Sequence, residues 1–191
     1  MGGRWEVSDA EWSVLETILQ PARRKDGRGR PWRETRAVLN GVLWVLGTGA
    51  QWRELPRKYP PYQTCHRRFQ QWVRDGKLKK ILRTLATELQ ARGQLPLKEG
   101  FIDASFPGAK KRGLAVGPTR RGKGTKILAI STDHSLPLAV AIQSASPHES
   151  QLVEETLGQS FLDELPQRLI GDAVYDSDRL DDYLLEPTIS S

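Results

Sequence analysis

The sequence predicts an α/β chain in two parts: a small all-helical domain over residues 1–95, then an incomplete α/β domain over 96–191. Three observations carry this reading. Apolar residues recur at helical spacing as far as about Ala91, with Gly and Pro marking the segment ends. After Gln94-Leu95-Pro96-Leu97-Lys98 the period changes from helix to strand. Charge changes along the same line: Met1–Lys98 holds 20 Lys/Arg and 9 Asp/Glu, a net of +11. Glu99–Lys126 holds 7 and 2, a net of +5, and Ile127–Ser191 holds 2 and 12, a net of −10.

Ser8 followed by Glu11 forms a capping-box pattern, and the helix it opens carries Trp12, Leu15, Ile18 and Leu19 before Pro21. The basic, glycine-broken stretch Arg23–Pro31 contains Arg28 and Arg30. It reads either as a solvated linker or as an arm that follows phosphates or enters a minor groove. A second helix is expected from about Trp32 to Leu46, with Val38, Leu39, Val42, Leu43, Val45 and Leu46 on a broad apolar face, ending at Gly47-Thr48-Gly49. A short helical turn carries Trp52 and Leu55. A third helix is expected from Tyr62 through Val73, and a fourth from Leu78 to about Ala91 with Leu78, Ile81, Leu82, Leu85 and Leu89 toward the core. Trp12, Trp44, Trp52 and Trp72 are expected as core anchors. The third helix, with Gln63, Thr64, Arg67, Arg68, Gln71 and Arg74 expected to be exposed, gives a helix-turn-helix-like unit. Arg and Gln read base edges as well as phosphates, so base contact, phosphate contact and a structural role are all admitted.

Strands are expected near 99–104, 126–132 and 137–142, the last two an antiparallel pair turned at Ser135-Leu136-Pro137. A basic, glycine-rich loop from Gly108 to Lys126 separates the first two. A helix from His148 to about Leu157 and a strand near 168–170 follow. Three strands, a helix and a strand open a ribonuclease-H-like domain, in which the fourth strand lies beside the first. That order brings Asp103, at the end of Gly100-Phe101-Ile102, and Asp172, after Arg168-Leu169-Ile170-Gly171, to one sheet edge.

One cysteine, Cys65, excludes an intrachain disulfide and a multi-cysteine zinc site. His66, His134 and His148 are scattered. No apolar stretch of signal-peptide or membrane-spanning type occurs, so a cytoplasmic protein with access to DNA and no membrane partner is expected. A positive front followed by an acidic tail fits polyanion binding by the first part. Carboxylates on neighbouring strand ends suit phosphodiester hydrolysis with two divalent ions, which activate water and stabilise the leaving oxygen. Mg²⁺ takes oxygen ligands and keeps several waters, so few carboxylates are needed. Asp103 and Asp172 are accordingly the expected catalytic and metal-binding residues for Mg²⁺ or Mn²⁺. Lys110, Lys111, Arg121, Lys123 and Lys126 of the basic loop are expected to touch DNA, beside Arg28, Arg30, Gln63, Arg67, Arg68, Gln71 and Arg74. Asp133 reads as a turn residue.

The chain closely resembles the transposases of the IS5 group of bacterial insertion sequences, within the larger IS4/IS5-like DDE set. Matching stretches in the first part are Glu11-Trp12, Gly29-Arg30-Pro31, Leu39-Asn40-Gly41, Gly47-Thr48-Gly49, Gln51–Pro56, Pro60–Thr64, Arg68-Phe69 and Trp72. In the second they are Ile102–Ser105, Lys110-Lys111, Val116–Pro118, Arg121–Lys126, Leu136–Leu138, Ser146–Glu149 and Gly171–Asp176. The resemblance runs from Ser8 to about Leu185. It implies DNA transposition at terminal inverted repeats, with the family's first two catalytic aspartates on Asp103 and Asp172. The family's third residue, a glutamate beyond the second aspartate, has no counterpart here, since Glu186 lies too near Asp172 and precedes a proline. A truncated transposase with impaired or lost cleavage is therefore the expectation. Its implied partners are element ends, target DNA and a second copy or an intact transposase. The alternatives are a non-cutting DNA-binding remnant that competes with intact transposase, a nuclease completed by another chain, and a poorly folded product.

Overall fold

A computed structural model describes residues 4–21, 31–108, 115–119, 122–144 and 149–172. The chain divides into two compact units, Met1–Leu82 and Arg83–Ser191.

In the first unit, helix α1 (Asp9–Leu19) starts at the expected capping box. The Ser8 hydroxyl accepts from the Glu11 amide, and the Glu11 carboxylate accepts from the Ser8 amide at 2.6 Å. That backbone N–H holds the Glu11 carboxyl below its ordinary range. Leu15, Ile18 and Leu19 are buried, spaced to share one helix face.

Helix α2 (Thr35–Thr48) begins three residues later than the apolar pattern suggests. The Glu34 carboxylate accepts from the amides of Arg36 (2.8 Å) and Ala37 (2.6 Å), so the first turn opens where those donors are satisfied. Val38, Leu39, Val42 and Val45 are buried, but Leu46 is exposed, contrary to the expected face. Gly49, at φ 69°, ends the helix in the left-handed conformation and donates its amide to the Val45 carbonyl. Gly41 lets the next helix approach closely: a Cβ there would stand 3.0 Å from the Cys65 sulfur. Burial pushes the Cys65 thiol up to about 11, which makes it an inert core group.

A 3₁₀ turn at Trp52–Glu54 precedes α3 (Tyr62–Arg74), and α4 (Lys77–Ala91) follows the break at Asp75-Gly76. Of the four tryptophans expected as core anchors, Trp72 is fully buried and Trp12, Trp44 and Trp52 are half-buried. Trp52 spends its ring on tilted contacts with His66 and Phe69 of α3. In α4 the buried residue is Ala86, whereas Leu82 is exposed. Among the described residues no helix is long and apolar enough to cross a membrane.

The second unit is built on a mixed sheet of β1 (Glu99–Ser105), β2 (Gly117–Thr119), β3 (Gly122–Ser131), β4 (Pro137–Ser144) and β5 (Arg168–Ile170). β3 is central. It pairs antiparallel with β1, β2 and β4, and β5 adds to the far side of β1 in parallel. The stretch expected as a loop as far as Lys126 is in part a β2–β3 hairpin, with Pro118 opposite Lys123. The Thr132–Ser135 turn is held by Ser135 N–H on the Thr132 carbonyl, and the Asp133 carboxylate accepts from the His134 amide. Helix α5 (Glu149–Leu157) supplies Leu152, Val153 and Leu157 to a core with Leu128, Ile130, Leu138 and Ala139. Ala86 and Leu95 join that core.

Strand alternation gives the sheet two unlike faces. Ile102, Ala104, Leu128, Ile130, Ala139 and Ala141 lie on the packed one. Phe101, Asp103, Ser105, Ile127, Ala129, Val140 and Ile142 alternate to the other by the observed register. Residues there are half-buried or exposed, Ile142 to 58%.

Candidate nucleic-acid interface and acidic strand ends

The two units carry different chemistry and are built differently. In the helical unit α3 is sharply two-sided. Cys65, Arg68 and Trp72 are buried, while Gln63, Arg67, Gln70 and Arg74 are exposed and Gln71 is intermediate. No acidic residue occurs within α3.

Arg68 corrects the sequence reading. Expected among the exposed DNA-contacting residues, it is 3% exposed. Its guanidinium lies 4.6 Å from the centre of the Trp32 ring and 5.4 Å from that of Trp72, and it donates to the Leu19 carbonyl at 3.5 Å. Aromatic faces replace water as partners of the buried cation. Desolvation lowers its pKa, with Arg67 adding to the effect. A position three residues after Cys65 and four before Trp72 shares their face of the helix. Arg68 is thus a buried part of the helical packing and not one of the exposed residues of α3.

Arg67 and Arg74 form no ion pair among the described residues, so their charge is available to an anion. Lys79 and Lys80 at the start of α4 are exposed as well; sequence reading passed over both, and over Gln70, because their only signal was charge or polarity at a helical spacing. Lys77 donates to the Gln20 carbonyl at 3.1 Å, and desolvation pulls its pKa down.

In the sheet unit the positions of the two aspartates follow from how β5 meets β1. Gln167 donates to the Leu97 carbonyl and Arg168 to that of Lys98, which starts the parallel ladder. Glu99 stands opposite Arg168, with an ion pair at 3.5 Å, then Gly100 opposite Leu169 and Phe101 opposite Ile170. Gly100 makes this close approach possible: a Cβ there would lie 2.7 Å from Pro166 Cγ and 2.9 Å from Leu169 Cδ2. Asp103 and Asp172 each stand two residues beyond the last registered pair, at the same end of neighbouring strands, and both are exposed. Neighbouring strands are about 4.8 Å apart. Carboxylate oxygens are hard donors of the kind a divalent cation such as Mg²⁺ takes, though two carboxylates leave most of its shell to water. Among the described residues no group of three or more His, Cys, Asp or Glu side chains gathers to hold a metal.

The expected basic-loop residues divide. Lys126 lies within β3, four residues inside its start, and is 5% exposed, its ammonium 5.1 Å from the centre of the Phe106 ring. Alternation puts it on the packed face beside Leu128 and Ile130, which corrects its expected exposure to DNA. Lys123 is exposed in the hairpin strand. Arg28, Arg30, Lys110, Lys111 and Arg121 lie outside the described residues.

The described residues thus comprise a helical unit with an acid-free basic helix, joined in sequence to a mixed sheet that carries Asp103 and Asp172 at corresponding positions of adjacent strands. Comparison with known proteins supplies the class. A family described as "Putative transposase of IS4/5 family" matches residues 7–82. An insertion element IS402 16.2 kDa protein of Burkholderia cepacia is 32% identical over 117 residues, 59% of this chain and 80% of that protein. Protein y4sN of Sinorhizobium fredii is 32% identical over 82 residues, 43% of this chain and 64% of its own length. No solved structure matches the chain. The chain belongs to the IS4/5 transposase family.

Proposed function

We propose that this chain takes part in DNA transposition by hydrolysing phosphodiesters at the terminal inverted repeats of an insertion sequence. Residues 1–95 serve as the DNA-binding part and residues 96–191 as a ribonuclease-H-like catalytic part of the DDE type. The observation that carries the reading is the parallel β1–β5 register, which takes Asp103 and Asp172 to the same end of adjacent strands. A sheet in which β4, β3, β1 and β5 follow one another supports the ribonuclease-H-like assignment.

Asp103 and Asp172 would hold Mg²⁺ or Mn²⁺, two ions in a complete site. When bound, the metal lowers the pKa of water and stabilises the leaving 3′ oxygen. The protein's part is placement. β1 and β5 fix the two carboxylates through backbone pairing, and exposed Arg67, Arg74, Lys79, Lys80 and Lys123 attract the phosphate backbone. With two carboxylates identified for the site, impaired or lost cleavage is expected of this chain alone, and a second copy or an intact transposase is the natural partner. The setting is the bacterial cytoplasm.

The test is nicking of duplex DNA bearing the element's own ends, with Mg²⁺ or Mn²⁺, by the whole chain. Cleavage that stops on adding a chelator and falls at least about 100-fold in Asp103→Asn and Asp172→Asn supports the reading. Cleavage indifferent to both substitutions contradicts it.

A second reading rests on the helical unit: with the exposed basic helix α3, and no group of three acids gathered among the described residues, the chain binds element ends without cutting and competes with intact transposase. Sequence-selective binding at about 0.15 M salt with no cleavage at any metal concentration distinguishes it.

A further inference from the structure

We infer that α3 reads base edges in the major groove through one stripe, Gln63, Arg67, Gln70 and Arg74, and that Gln70 is a specificity-determining residue of the chain. The inference rests on the reading that the helical unit binds duplex DNA, and it names which residues choose the sequence.

At about 100° per residue these four positions fall within an arc of about 60°. All four are exposed, and none makes a side-chain hydrogen bond or ion pair among the described residues. The opposite face is occupied by Cys65, Arg68 and Trp72, all buried. The helix cannot turn about its axis to offer another face, because Arg68 is stacked on Trp32 and Trp72 and bonded to the Leu19 carbonyl. Of the polar residues on α3, burial therefore removes Arg68 and leaves Gln71 on the shoulder of the stripe. Gln70 lies within it, at the edge away from Gln71.

The chemistry of the stripe selects a ligand. Arginine pairs in bidentate fashion with guanine O6 and N7, and glutamine with adenine N6 and N7. The alternation Gln-Arg-Gln-Arg along one helix face thus fits a run of purine contacts, adenine for Gln63 and Gln70, guanine for Arg67 and Arg74. From Gln63 to Arg74 the helix rises about 16 Å, roughly five base-pair steps at 3.4 Å. The absence of any carboxylate in α3 removes the residue type that would repel phosphates or favour cytosine.

The experiment is selection of duplexes from a randomised library by the whole chain, for wild type, Gln70→Ala and Lys79→Ala. Wild type should enrich a short purine-containing core. Gln70→Ala should lose preference at one adenine position by about 5- to 150-fold while retaining preference elsewhere. Lys79→Ala should weaken binding to all sequences alike and reduce its salt dependence. A wild-type core that Gln70→Ala leaves unchanged overturns the inference while DNA binding stands. Wild-type binding with no base preference also overturns it. No measurable affinity for any duplex at about 0.1 M salt overturns both the inference and the reading beneath it.

Discussion

The helical unit and the sheet unit solve the same problem, hiding apolar surface, to different degrees. In α3 the residues divide by face: Cys65, Arg68 and Trp72 go inside, Gln63, Arg67, Gln70 and Arg74 stay out, and Val73 is left 53% exposed. The sheet packs one face on α5, whereas its other face leaves Ile142 mostly exposed beside half-buried Val140, Ala129 and Ile127. Asp103 alternates to that second face. The contrast teaches that the exposed polar stripe of α3 is set by residues of one helix, while the placement of Asp103 and Asp172 depends on backbone register between two strands.

The largest effect should come from Trp72→Ala. It empties a fully buried site and deprives Arg68 of one aromatic partner, so a loss of about 3–5 kcal/mol in chemical denaturation is expected. A loss below about 1 kcal/mol would show that α3 is not anchored as described. The sheet comparison can be sharpened by a pair of substitutions. Leu128→Ala on the packed face should cost about 2–5 kcal/mol, and Ile142→Ala on the open face no more than about 0.5 kcal/mol. Equal costs would mean that the second face is covered in solution.

The smallest effect concerns α1. Ser8→Ala should cost about 1 kcal/mol by removing the capping hydroxyl. The Glu11 carboxyl titrates lower in the folded protein than in the unfolded chain, chiefly through the Ser8 backbone N–H. Its contribution is therefore present above the unfolded pKa and is lost as pH falls through the folded one. Glu11→Gln should flatten that part of the acid limb in a stability–pH titration. An acid limb unchanged by the substitution would show that the capping box is not formed in solution.

Much of the architecture was legible in the residues. Ser8 with Glu11 marked the start of α1, Gly49 the end of α2, and the period change after Lys98 the passage to strands. The parallel placement of β5 beside β1 agreed with the expected strand order. Other features were not legible, for identifiable reasons. Arg68 looked like a surface cation because composition says nothing of the tryptophans that bury it. Lys126, the boundary between the expected loop and the expected strand, falls well inside β3 because Gly122 and Gly124, read as loop formers, belong to a hairpin strand. Gln70 carried no motif, and its place emerges only when the buried face of α3 is known. The close β1–β5 approach depended on Gly100, whose role is visible only from the positions of Pro166 and Leu169.

The central claim is that Asp103 and Asp172 act on one divalent cation. It is tested most directly by titrating Mn²⁺ into the whole chain and following the free ion by electron paramagnetic resonance, for wild type, Asp103→Asn, Asp172→Asn and the double variant. The account predicts that each single substitution weakens binding and that the loss in the double variant falls short of the sum of the two, since the carboxylates share one site. Binding that is unchanged in the double variant, or losses from the two single substitutions that simply add, would contradict it.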